Sequence, residues 1–211
     1  MLRVGITGNI GSGKSTVCNI FESLNIPIFY ADLQAKAIYK NYPELQAQVI
    51  NLLGPDSFLS PGDINKSYVR NAIFNNPILR EKLNQIVHPF VFHDFDVWCQ
   101  NQFATLNPPY IIKEAAILFE SGANKTVDLA IGVLAPLETK IQRVKTRDHI
   151  TTDEALSRIH AQWDENQWTP LCAFTIQNNG EQPLIPQVLE IHKQLLHRAA
   201  HPELFPQKFN P

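Results

Sequence analysis

The amino-acid sequence predicts an α/β fold with a parallel sheet, and three observations near its start predict it. Leu2, Val4 and Ile6 alternate along a short strand that runs into GITGNIGSGKSTVCNIF, residues 5–21. Past Lys14 the apolar residues Val17, Ile20, Phe21 and Leu24 fall at i, i+3, i+4 and i+7, one face of a helix. Asn25 ends that helix, and IPIFY (26–30) reads as a second buried strand. A strand, a helix and a strand joined this closely form a βαβ unit, whose crossover permits only parallel pairing. The loop in its first turn has the order G-x-x-x-x-G-K-S from Gly8 to Ser15, so the class is the three-layer αβα arrangement of a P-loop NTPase.

The later elements follow from periodicity and punctuation. From Asp32 to about Gln102 the pattern turns helical: 31–40, 43–54, 64–74 and 76–100 read as helices broken by Pro43, Gly54-Pro55, Pro61-Gly62 and Pro77. This stretch is an insertion between sheet strands. The sheet resumes at YIIKEAAILF (110–119) and LAIGVLA (129–135), and a helix follows at about 137–147. In the polar stretch 147–163, Thr152 and Asp153 are candidate N-caps. FTIQN (174–178) reads as a last strand and 186–199 as a last helix. The expected layout is a core of residues 1–32, 106–142 and 165–200, a helical substrate lobe at 33–105, a lid at 143–164 and a loosely packed proline-rich tail at 201–211.

Composition narrows the class. Apolar residues make up 44% and charged residues 18%, with a formal net charge of -2, so no bulk electrostatics favours nucleic acid or an anionic membrane. No apolar run approaches the roughly 20 residues that span a bilayer. Met1 leads straight into a strand, which predicts no cleaved leader. The three cysteines, Cys18, Cys99 and Cys172, are widely spaced without a C-x-x-C pair and read as reduced thiols, with the cytoplasm the expected compartment. No protein partner is implied.

The loop carries the chemistry. Amides of a glycine-rich turn and a helix N-terminus bind phosphate oxygens, and Gly8, Gly11, Ser12, Gly13 and Thr16 are the expected frame. Lys14 would reach the β- and γ-phosphates of ATP and the Ser15 hydroxyl would ligate Mg²⁺. Asn9 stands where glycine is easier to place, and its tolerance of left-handed backbone is the expected reason. A GTPase would carry N-K-x-D and D-x-x-G; Asn124-Lys125-Thr126-Val127 has valine where aspartate is needed, and D-x-x-G does not occur. L-S-G-G-Q is absent too, which leaves a small kinase. Asp32 follows strand two, at the sheet edge where ligands of open α/β sheets bind. It is a candidate base for an attacking hydroxyl; a helix N-cap is its other reading. Another P-loop small-molecule or nucleoside monophosphate kinase, or a nucleotide-binding protein without catalysis, stays open.

The ordered set of motifs resembles the dephospho-CoA kinases, which use ATP to phosphorylate the ribose 3′-hydroxyl of dephospho-coenzyme A, the last step of coenzyme A biosynthesis. The family's G-L-T-G-G-I-G-S-G-K-S matches Gly5 to Ser15, with Asn9 in a glycine slot. Its D-A-D resembles Tyr30-Ala31-Asp32, with Tyr30 replacing the first aspartate. Its H-P on a long helix matches His88-Pro89, which would end a helix beside the substrate; its P-L-L-F-E resembles Ala116 to Glu120, preceded by Glu114. Arg147-Asp148, Arg158-Ile159-His160-Ala161-Gln162 and the stretch from Cys172 to Gly180 match further family motifs, with Ala173 where aspartate is usual. The resemblance covers roughly residues 2–198. It implies Asp32 as base, Lys14 and Arg147 as catalytic cations, Arg158 beside the triphosphate, His88 toward the acceptor, and Glu114 with Ser15 toward Mg²⁺. Trp163 and Trp168 are expected to pack the base of the lid, and His192, His197 and His201 to lie on the surface.

Overall fold

The computed structural model describes residues 1–74 and 76–204, so most of the expected tail lies outside the described residues. Strand β1 (Leu2–Thr7) leads through the loop to helix α1 (Lys14–Ser23) and strand β2 (Ile28–Tyr30). Next come α2 (Ala31–Asn41), α3 (Pro43–Leu53), the short strands β3 (Phe58–Ser60) and β4 (Asp63–Ile64), α4 (Lys66–Phe74) and α5 (Pro77–Leu106). The chain continues with β5 (Tyr110–Glu114), β6 (Leu129–Leu134), α6 (Leu137–Asp148), α7 (Thr152–His160), α8 (Glu165–Trp168), β7 (Phe174–Gln177) and α9 (Leu184–Ala200). Two compact units result: Met1–Phe29 with the chain from Asn101 onward, and Tyr30–Gln100.

In the first unit the sheet order is β2-β5-β1-β6-β7, and β1 lies parallel to both β5 and β6. Strand β5 buries every residue, and β1 and β6 bury all but Leu2, Arg3 and Leu134, as a parallel sheet packed on both faces requires; Tyr110, Ile111 and Ile112 have no exposure. The inward face of α1 is Lys14, Val17, Cys18 and Phe21, one step round from the expected stripe, and Ile20 and Leu24 are only half-buried. Burial raises the Cys18 thiol far above its usual range, which makes it inert at neutral pH.

Three local expectations change. The strand at 110–119 stops at Glu114, because β1 turns into the loop and offers no edge beyond the last rung, Ala115 N–H to the Ile6 carbonyl at 3.0 Å. The N-cap of α7 is Thr151, not Thr152 or Asp153. Its hydroxyl accepts from the Glu154 amide at 3.2 Å, and Glu154 returns the bond to the Thr151 amide at 2.9 Å, so the reciprocal partner three residues on decides the start. His192 is half-buried rather than on the surface, its Nδ1 sharing a 2.5 Å hydrogen bond with the hydroxyl of buried Tyr110.

The helical unit has its own core, in which Ile38, Leu45 and Val49 are fully buried and Val69, Leu83 and Val91 nearly so. Pro61-Gly62, read as a simple break, turns the antiparallel hairpin of β3 and β4. Pro89 lies inside the 30-residue helix α5, so His88-Pro89 is mid-helix and not at a helix end.

Burial lowers the His192 pKa from its ordinary 6.5, so the unfolded chain binds the proton more readily than the folded one. Stability therefore falls as pH drops below 6.5 toward the lowered folded value and is independent of this group above 6.5. Thermal melts of wild type and His192→Gln between neutral and mildly acidic pH check this: the acid-side slope is expected to be shallower in the variant.

Candidate active site

The loop between β1 and α1 needs glycine where the backbone turns left-handed: φ is +82° at Gly11 and +94° at Gly13. Space demands it as well, since a Cβ on Gly13 would stand 2.0 Å from Asn178 Nδ2 and one on Gly11 2.7 Å from the Lys140 carbonyl oxygen. Outside glycine, positive φ among the described residues occurs at Asn25, Asn107 and His149. Asn9 therefore does not owe its place to a left-handed backbone. It is buried, donates Nδ2–H to the Trp163 carbonyl at 3.1 Å and accepts the Trp168 indole N–H at 3.0 Å.

Side chains from outside the loop hold its carbonyls. Asn178 Nδ2 donates to the Ser12 carbonyl at 2.8 Å, and Arg143 Nη1 donates to the Gly11 and Ser12 carbonyls at 3.2 and 3.3 Å. Arg143 Nη2 also reaches Asn178 Oδ1 at 3.2 Å. In a trans peptide the C=O and N–H point opposite ways, so fixing the Ser12 carbonyl sends the Gly13 N–H to the other side. An amide turned to that side suits a phosphate there. Arg143 adds a positive charge behind the loop. Gln162 takes the Ile10 amide at 2.7 Å on Oε1 and donates to the Ala116 carbonyl at 3.2 Å.

Lys14, the first residue of α1, is 9% exposed, and its Nζ donates to the Gly8 carbonyl at 2.7 Å. The β1–β5 register sets Ile6 opposite Glu114, which carries the buried Glu114 carboxylate to the loop, 4.0 Å from Lys14 Nζ. Ser15 and Thr16 lie exposed on the first turn of α1, while Ser12 is fully buried. Gly8, Gly11, Ser12, Gly13, Lys14, Ser15, Thr16 and Glu114 thus come together.

Arg147 and Arg158 meet elsewhere, on one carboxylate. Arg147 Nε and Nη2 donate to Asp148 at 2.7 and 3.0 Å, and Arg158 Nη1 donates to it at 2.7 Å. The Arg147 hydrogen bonds hold the Asp148 carboxyl below its usual range. Both arginine side chains stay largely in solvent, 61% and 44% exposed. In the helical unit, Asp32 is an exposed residue of the first turn of α2; the N-cap there is Tyr30, so capping is not the role of Asp32. His88 is half-buried and stacks on Phe92 at 5.8 Å.

A profile of the dephospho-CoA kinase family matches residues 2–183. The chain belongs to the dephospho-CoA kinase family. Its function follows from that membership: it is an ATP-dependent kinase with dephospho-CoA as acceptor. The dephospho-CoA kinase of Bacteroides fragilis is 34% identical over 190 residues, 90% of this chain and 91% of that protein. The dephospho-CoA kinase of Salinibacter ruber is 31% identical over 85% of this chain and 90% of its own length. Among solved structures, a Thermus thermophilus protein superposes with a TM-score of 0.77 at 26% identity, covering 92% of this chain and 96% of its own. The fold is shared with the dephospho-CoA kinase of Campylobacter jejuni, TM-score 0.65 at 21% identity over 92% of this chain and 97% of that one.

Arg143, Asn178 and Gln162 are the residues that sequence reasoning missed in this site. Arg143 lies one turn before Arg147 on the same helix, and Asn178 and Gln162 stand inside motifs read without roles; their common signal is a long polar side chain next to an element that must pack on the loop.

Two outcomes are expected from calorimetric titration with ATP. Gly13→Ala, strained in φ and clashing with Asn178, is expected to lose about tenfold or more in affinity. Arg143→Ala, which frees two loop carbonyls from a charged donor, is expected to lose about tenfold to a hundredfold while melting near the wild-type temperature.

Proposed function

We propose that this chain phosphorylates the ribose 3′-hydroxyl of dephospho-CoA with Lys14 and the loop amides on the ATP phosphates and Asp32 as the group that accepts the hydroxyl proton. The observation that carries this is the phosphate loop itself, held open by Arg143 and Asn178 with Lys14 Nζ across it. Phosphoryl transfer depends mostly on positioning and on neutralising charge on the transferring oxygens, and those are the tasks this loop performs.

The donor set beside the loop fits Mg²⁺. Ser15 offers a hydroxyl and Glu114 a carboxylate, hard oxygens of the kind that bind Mg²⁺ through one or two protein groups, with phosphate and water completing the shell. Bound there, Mg²⁺ would supply charge neutralisation for the phosphates. Glu114 also lies 4.0 Å from Lys14 Nζ, so its carboxylate faces both the amine and the metal position.

Arg147 and Arg158 act by exchanging Asp148 for phosphate oxygens as the lid approaches the nucleotide. A guanidinium fork suits either anion, and both side chains are exposed enough to move. Asp32, exposed in the first turn of α2, needs no burial to serve as a late proton acceptor. His88 contributes to the acceptor lobe. The cytoplasm, where ATP and Mg²⁺ are plentiful, is the compartment we assign; among the described residues no helix is long and apolar enough to cross a membrane.

The direct test is coupled ADP release with purified protein, Mg-ATP and dephospho-CoA, with nucleoside monophosphates and shikimate as competing acceptors. Turnover is expected with dephospho-CoA alone, and none above the no-acceptor control refutes the proposal. Lys14→Ala is expected to impair ATP binding and rate together. Asp32→Asn is expected to lower kcat by about 10²-fold or more with ATP affinity kept, and near-wild-type turnover removes Asp32 from the base role. Glu114→Gln is expected to raise the Mg²⁺ concentration needed for half-maximal rate.

A further inference from the structure

The front of the loop is tied to the end of the expected lid and the turn that follows it. Asn9, the second residue of the loop, is 4% exposed and uses both ends of its amide. Nδ2–H goes to the Trp163 carbonyl at 3.1 Å, and Oδ1 accepts Nε1–H of Trp168 at 3.0 Å. Next to it, the Ile10 amide is taken by Gln162. These bonds link loop residues 9 and 10 to residues 162–168, the stretch in which the chain returns from α7 to the sheet. That stretch is fixed independently: Lys140 Nζ on α6 donates to Glu165 at 2.6 Å, and the Trp168 ring packs where Gly132 of β6 has no side chain, a Cβ there falling 2.6 Å from the ring. Trp168 itself is 3% exposed. A glycine at position 9 could make neither side-chain bond.

We propose that Asn9 is a positioning residue, which with Trp168 and the Trp163 carbonyl latches the front half of the phosphate loop to the stretch 162–168 and so pre-orders the loop for ATP. The Asn9 carbonyl shows what is being ordered, since it accepts the Ser12 amide at 3.0 Å and closes the turn that carries Gly11. When the latch is cut, the loop samples other turns, and ATP binding must supply the ordering free energy. The ground state and the transition state both need the ordered loop, so the cost falls on affinity and not on kcat. The latch also joins the loop to an indole, which makes Trp168 a reporter of loop occupancy.

This proposal rests on the reading that the loop holds ATP, and calorimetric ATP affinity is its primary test, independent of any acceptor. Asn9→Gly and Trp168→Phe, which keeps an aromatic side chain but removes the indole donor, are compared alone and together. Asn9→Gly is expected to weaken ATP binding by about five- to twentyfold, as for two neutral hydrogen bonds, with kcat and the KM for dephospho-CoA within about twofold of wild type. Trp168→Phe is expected to give a smaller loss, and the double variant no more than Asn9→Gly, the signature of a shared interaction. With Trp98 and Trp163 changed to Phe, ATP is expected to alter Trp168 fluorescence, and Asn9→Gly to abolish that response under saturating ATP. ATP affinity unchanged in both single variants, whatever happens to their melting temperatures, overturns the latch, as do losses that multiply in the double variant. A wild-type chain that binds ATP but leaves dephospho-CoA unphosphorylated overturns the catalytic reading and not the latch; one that binds no ATP overturns both.

Discussion

The hydrogen bonds that Asn178 and Arg143 make to the carbonyls of Gly11 and Ser12 are the constraint on which the rest of the site depends. A glycine-rich turn has many accessible conformations, and only those with amide hydrogens facing one side bind phosphate well. Here the choice is made by donors on the opposite side of the loop. Asn178 follows β7 and Arg143 sits in α6, so the loop is braced by the two elements that close the sheet on that flank. Order in the loop is therefore a property of the whole sheet unit, and anything that displaces α6 or the end of β7 reaches the phosphates.

Electrostatics around Lys14 follow the same logic. A nearly buried ammonium is unfavourable unless an anion and hydrogen-bond acceptors attend it. Glu114 and the Gly8 carbonyl supply both, and the register that sets Glu114 opposite Ile6 is what brings the carboxylate to the loop. Lys113, one residue earlier, is buried with its amine donating to Thr126 Oγ1 at 3.0 Å and lying 5.9 Å from the Phe29 ring centre. Successive residues of one strand end thus point to opposite faces of the sheet, and Glu114 alone of the two serves Lys14.

Much of the framework was legible in residues 2–30, because strand alternation, the G-x-x-x-x-G-K-S spacing and the helical stripe are all local signals. The limits were local as well. Cys18 replaced Ile20 and Leu24 at the centre of the buried face of α1, which depends on what packs against that helix and not on periodicity. Thr151 won the cap of α7 because Glu154 answers it, a rule the spacing does contain. The end of β5 at Glu114 was hidden, since a strand stops where its neighbour stops pairing. His192 looked like any other polar residue on the last helix until Tyr110 stood opposite it.

By itself the sequence determined the phosphate loop, the parallel sheet around it, the helical insertion and the family, for each rests on residue type at fixed spacing along the chain. Tertiary structure alone decided how that loop is held. Arg143, Gln162, Trp168 and Asn178 lie more than a hundred residues from the positions they bond in the loop, and no local pattern encodes such a pairing. It also changed the meaning of Asn9, from a residue tolerated for its backbone to one whose side-chain amide is bonded at both ends. The physical reason is the same in each case: a buried polar group must find a partner, and the fold chooses which one.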